Sequence, residues 1–153
     1  MNLTKVKIKT NETEIHYCNN VGRGNSKTTV FKSYETQSPE FFKCLEPLKK
    51  YLLEALDLDE EYGEGMTIIG LSLKEENPDG DYIENYGVVI SAVKKLDNSN
   101  TPACINTPYI PPLRDENTLT IMNDDLAKEI NVIIGFCERF VNGQERAQGE
   151  LFK

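Results

Sequence analysis

Apolar and polar positions alternate with period two near the start of the chain and recur at steps of three and four further on. This change of period sorts the sequence into strands and helices. "KVKIKT" and "TEIHYC" read as short strands, and "KTTVFKSYE", rich in Thr, Val, Phe and Tyr, as a longer one. "NNVGRGNS" separates the last two, and its Asn and Gly residues tolerate positive φ, as a hairpin loop requires. In "SPEFFKCLEPLKKYLLEAL", Ser38 suits an N-cap and Pro39 the first helical position. Phe41, Leu45, Leu48, Leu52 and Leu56 then form one apolar stripe. Pro47 falls inside that stripe and removes one backbone donor, so a bent helix is expected.

The acidic link "DLDEEYGEG" precedes "MTIIGLSLK", in which Ile69, Leu71 and Leu73 alternate with Gly70, Ser72 and Lys74. "YGVVISAVKKL" is apolar on both parities, the pattern of a central strand covered on both faces. The Pro-Asp-Gly turn of "ENPDGDY" joins the two as a second hairpin. "NSNTPACINTPYIPP" holds four prolines and reads as an extended crossing segment with an edge strand around Ala103 to Asn106. "NDDLAKEINVIIGFCERFVNG" is the strongest helix, with Leu126, Ile130, Ile133, Cys137, Phe140 and Val141 on one face. Asn123, Asp124 and Asp125 suit its start and Asn142-Gly143 its end.

This order predicts an α+β fold: a mainly antiparallel sheet of about five strands, with two helices packed on one face. Residues 1–143 form the single domain and residues 144–153 a flexible C-terminal tail. At 153 residues, one domain buries a core without staples. The longest apolar runs are only a few residues and the start lacks the apolar stretch of a secretory signal. A soluble cytoplasmic protein with no membrane partner is expected. Cys18, Cys44, Cys104 and Cys137 lie far apart, excluding CxxC and zinc-finger spacings and favouring buried reduced thiols.

Charge sharpens the picture. Net charge is -8, yet residues 1–50 hold nine Lys and Arg against five Glu, leaving eight basic and twenty acidic groups in the rest. An acidic body disfavours broad nonspecific DNA binding, whereas a local basic patch is rewarded by phosphate. Lys5, Lys7, Arg23, Lys27 and Lys32 are the candidate nucleic-acid contacts.

Catalytic motifs are weak. "GRGNSKTT" fails the phosphate-loop pattern, since Ser26 and Val21 occupy the glycine positions and a strand follows. Asp57, Asp59 and Glu61 have calcium-loop spacing, but Tyr62 stands where the turn glycine belongs and Ile68 where the closing Glu belongs. "NPDGDY" fails likewise at Tyr82. His16 is the only histidine and reads as a surface or rim residue. A carboxylate-metal nuclease would draw on Asp79, Asp81 and Glu84, acidic residues of a turn, and is the alternative enzymatic reading. No catalytic residue, metal ligand or cofactor is assigned.

The chain ends in "QERAQGELFK". "QGELF" resembles the peptide by which bacterial replication and repair proteins dock on the DNA polymerase sliding clamp: a Gln, two tolerant positions, then Leu-Phe. The resemblance covers five residues and departs from the fuller pattern at Gly149, where Leu is often found. It implies that Leu151 and Phe152 fill an apolar cleft on the clamp while the Gln148 amide bonds at its rim. Two buried side chains at roughly 1.5–3 kcal/mol each, offset by ordering, correspond to micromolar binding at best, about -8 kcal/mol.

The segments "GVVISAVKKL", "ACINTPYIPP" and "CERFVNGQERAQGELF" also resemble small phage and prophage proteins carried in replication and recombination gene clusters. Together these resemblances imply a non-enzymatic phage or mobile-element accessory protein. It would dock on the clamp, while its body binds single-stranded DNA or a recombination protein. A homo-oligomeric module whose tail packs on itself or a neighbour is the structural alternative.

Overall fold

The computed structural model describes residues 2–8, 13–20, 26–33, 39–75, 86–111 and 124–151. Six strands, β1 (Asn2–Ile8), β2 (Thr13–Asn20), β3 (Ser26–Ser33), β4 (Met66–Glu75), β5 (Tyr86–Lys94) and β6 (Ala103–Asn106), form one sheet ordered β3-β2-β1-β4-β5-β6. Every pairing is antiparallel. The fold is α+β, as the periodicities predict, with the short edge stretch Ala103–Asn106 as a sixth strand.

Side chains alternate across a strand, so register assigns faces. Leu3, Val6 and Ile8 of β1, Ile15 and Tyr17 of β2, Leu71 and Leu73 of β4, and Val88, Ile90 and Ala92 of β5 are all buried on one face. The helices supply the other half of this core. Helix α1 (Pro39–Leu45) passes through a 3₁₀ turn at Glu46–Leu48 into α2 (Lys49–Ala55), so the bend expected at Pro47 takes the form of tightened backbone. Phe41, Leu45, Leu48 and Leu52 are buried along it. Its end is built by Asp57 in the left-handed region (φ 54°). The Leu58 amide donates to the Leu53 carbonyl at 2.8 Å and the Asp57 amide to Glu54 at 3.2 Å, the pairing of a Schellman stop.

Helix α3 (Asp124–Leu151) buries Leu126, Ile130, Ile133, Cys137 and Val141, the stripe read from the sequence. Its rings join α1 edge to face, with Phe41 4.9 Å from Phe136 and 4.8 Å from Phe140 between centroids. Phe140 also meets Phe31 of β3 at 6.1 Å, tying the helix layer to that edge of the sheet.

Three expectations change. The helix does not end at Asn142-Gly143 but continues to Leu151. Gly143 lacks a positive φ, and the following Gln, Glu, Arg and Ala are good helix formers that carry the backbone past it. In β4 a bulge between Ile68 and Gly70 inserts one residue, so Ile68 is buried and Ile69 only partly so. Among the described residues helices cover strand β5 on one face, and Val89 and Val93 of its other parity stay partly exposed. Its two apolar parities reflect one buried face and one face of β-branched residues that favour a strand anywhere.

Two details secure the β5–β6 side. Where β6 ends, the Thr107 amide donates to the Ile90 carbonyl and the Ile90 amide donates to Thr107 Oγ1, both at 3.0 Å. The hydroxyl thus replaces a ladder carbonyl, and Ile110 rejoins β5 at Val88. Lys94 donates from Nζ to the carbonyls of Tyr62 and Glu64 at 2.6 and 2.9 Å, fastening the 3₁₀ turn Glu60–Gly63 to the sheet.

Candidate nucleic-acid interface

With both helix stripes on one face, no helix among the described residues covers the opposite parity of the sheet. Register orders its residues into rows across the strands. One row reads Lys32, Glu14, Lys7, Gly70, Ser91 and Asn106 from β3 to β6, and the next Val30, His16, Lys5, Ser72 and Val89. Lys5 and Lys7 are partly exposed, and the Lys32 and Val30 positions are open to solvent. Lys74, exposed and opposite Gly87, shares this parity.

Glu14 is the acidic residue of this face among those described, and it is 7 % exposed. Its Oε1 lies 3.6 Å from Lys32 Nζ and its Oε2 3.5 Å from His16 Nε2, with Lys7 opposite in register. The buried carboxylate thus pairs with the Lys32 ammonium and lies beside the His16 ring. The helix side differs in sign: residues 39–64 carry eight carboxylates against three lysines. Among the described residues, a chain of net charge -8 therefore places four lysines and one carboxylate on this face, a separation visible only once register is known.

A hollow of about 300 Å³ lies in the middle of the face, lined among others by Lys5, Lys7, Ser72, Ser91, Cys104 and Asn106. Its floor is Gly70. A Cβ at that position would come 2.7 Å from the Val6 carbonyl oxygen, so β1 and β4 approach there too closely for any side chain. At the far end of β5 the phenol of Tyr109 covers Gly87, where an added Cβ would run into the ring and hydroxyl. Burial pushes the Tyr109 hydroxyl above its ordinary pKa.

Of the five basic residues singled out from the sequence, Lys5, Lys7 and Lys32 share this face. Lys27 stands opposite Asn19 in the β2–β3 register, and Arg23 lies outside the described residues. Sequence reasoning did not single out Ser72, Ser91, Asn106 or Gly70, because their pairing across β4, β5 and β6 depends on the bulge at Ile69. Alternate small residues opposite a buried parity were the available signal.

The thiols divide by face. Cys137 is buried and Cys44 half-buried beneath the helices, and desolvation raises both above the ordinary thiol pKa. Cys104 is exposed and Cys18 half-exposed on the open face, which corrects the expectation of four buried thiols. Edge position explains Cys104, since β6 has no outer neighbour to shield it.

Backbone 144–151 belongs to α3, placing Gln148 and Leu151 three residues apart on its last turn; Phe152 lies outside the described residues. Asp79, Asp81 and Glu84 also lie outside them. Among the described residues no cluster of three His, Cys, Asp or Glu could hold a metal ion, and no helix is long and apolar enough to cross a membrane. No protein-family model, curated protein or solved structure matches this chain.

Proposed function

We propose that this is a non-enzymatic accessory protein of DNA replication or recombination, of phage or mobile-element type. Its open sheet face binds single-stranded DNA, and Gln148, Leu151 and Phe152 dock it on the bacterial sliding clamp. The observation that carries the reading is the gathering of Lys5, Lys7 and Lys32 on one face of an acidic chain. A sheet face with cations spaced over three strands suits a phosphate backbone, which rewards each neutralised charge by counterion release. The clamp half of the proposal rests on "QGELF" at the end of the chain. Weak docking of that segment would raise the local concentration of the body at DNA threaded through the clamp.

Fluorescence anisotropy with a labelled oligothymidylate tests the body. Three neutralised phosphates correspond to a slope of log K against log salt near about -2 for single strands. The triple variant Lys5→Ala, Lys7→Ala, Lys32→Ala, with unchanged circular dichroism, is expected to lose binding at least tenfold. Equal binding by both proteins overturns the reading of the face. Calorimetric titration into the clamp tests the end of the chain, with Gln148→Ala, Leu151→Ala, Phe152→Ala as control. Micromolar binding lost in the variant is the expected result, and no binding by either protein removes the clamp from the proposal.

A further inference from the structure

The hollow over Gly70 has properties that a phosphate track alone does not require. Among the described residues that line it none is acidic, a lining that disfavours metal cations and favours an anion. Its polarity is also lopsided. Lys5 and Lys7 supply ammonium groups from β1, whereas Asn106 on β6 supplies an amide that donates and accepts. These walls stand on strands three places apart, about 14 Å at the usual strand spacing. A bare phosphate would satisfy the lysines and leave the amide wall unused. Between the walls lie the Ser72 and Ser91 hydroxyls, the apolar Val89 and the bare backbone of Gly70, a floor against which a flat ring can rest. A volume of about 300 Å³ is at the small end of ligand pockets. The ring of Tyr109 covers Gly87, two residues along the same face from Val89 and so about 7 Å away.

We infer that the hollow over Gly70 is a nucleotide site, taking one nucleotide unit with its phosphate toward Lys5 and Lys7 and its base toward Val89 and Asn106. The inference rests on the reading of the open face as a nucleic-acid surface and narrows it, because a strand crossing the lysines would drop one nucleotide into the hollow. The unit is either part of a strand or a free mononucleotide, and the test separates the two.

Cys104 lines the hollow and is exposed, which makes it a reporter in the full-length protein. Its rate of maleimide labelling, read by peptide mass spectrometry, is compared with that of Cys18, which stands on β2 of the same face and outside the hollow. The probes are deoxyadenosine monophosphate, inorganic phosphate and a single-stranded oligonucleotide. At about ten times its dissociation constant, the mononucleotide is expected to slow Cys104 labelling about tenfold and leave Cys18 unchanged. The oligonucleotide is expected to do the same, and inorganic phosphate to change the rate less than twofold. Asn106→Ala, at an exposed edge position, is expected to weaken protection by the mononucleotide, read against that variant's own unliganded labelling rate.

Equal protection by inorganic phosphate overturns the nucleotide site and leaves an anion site. Oligonucleotide binding that needs the lysines but leaves Cys104 unprotected, with no protection by the mononucleotide, overturns the inference and spares the proposed function. Mononucleotide protection without any oligonucleotide binding supports a free-nucleotide site and removes the single-strand reading instead. No protection and no binding removes both.

Discussion

The two faces of the one sheet are made by the same strands, residue by alternate residue, and they differ in burial and in charge. Beneath the helices Ile15, Leu71, Ile90 and their neighbours are buried against Phe41, Leu45 and Ile133. On the other face Lys5, Lys7, His16, Ser72, Ser91 and Asn106 meet no helix among the described residues, and Gly70 leaves a hollow. Burial of apolar area stabilises the first face, whereas the described residues of the second include no comparable apolar cluster. A sheet can thus fix its fold through one parity and leave the other free to carry the chemistry proposed for it.

The sharpest way to break this comparison is a truncation on each face. Phe41→Ala removes a buried ring that meets two others edge to face and is expected to cost about 3–5 kcal/mol in urea unfolding. Val89→Ala, on the open face of β5, is expected to cost about 1 kcal/mol or less. Similar losses at the two positions would mean that both faces are packed, as the sequence pattern of β5 alone would have it.

A second test uses pH. Burial raises the Cys137 thiol, and Cys44 in the same layer shifts the same way. The unfolded chain then loses its thiol protons first, near about pH 8.5, and binds fewer protons than the folded one. Stability is therefore complete below that pH and falls as pH rises above it, by up to about 1.4 kcal/mol per pH unit for each thiol. Unfolding followed from pH 7 to 9.5 checks the slope, and Cys137→Ala is expected to flatten it. A slope unchanged in that variant would place the titration elsewhere.

The smallest effect decides a point on which sequence and structure disagree. Gly143 lies inside α3 with nothing within 4 Å of an added Cβ. Gly143→Ala is expected to stabilise the protein by about 0.5–1 kcal/mol, seen as a higher Tm. A loss would mean that the helix stops there in a left-handed turn, and that residues 144–153 are a tail.

Much of the fold was legible because it depends on local periodicity. The stripes of α1, α2 and α3 follow from spacing alone, and Pro47 announces its bend. The candidate site was legible only in part. Lys5, Lys7 and Lys32 are found by counting charge, but two of their neighbours in the proposed site, Ser91 and Asn106, lie far along the chain. Ser72 is an ordinary polar position in an alternating strand until β4 is paired with β1. The helix end at Gly143 was misread because an Asn-Gly pair is a frequent stop, whereas the residues beyond it favour helix enough to continue.

The sequence by itself determined which segments become strands and helices, and which parity or stripe of each is apolar, because those are properties of neighbours along the chain. Only the tertiary structure decided that β1 sits at the centre beside β4, and that a bulge at Ile69 brings Gly70 level with Lys7 and Ser91. Those are choices of register between distant segments. A shift of one residue would turn every side chain of a strand to the other face.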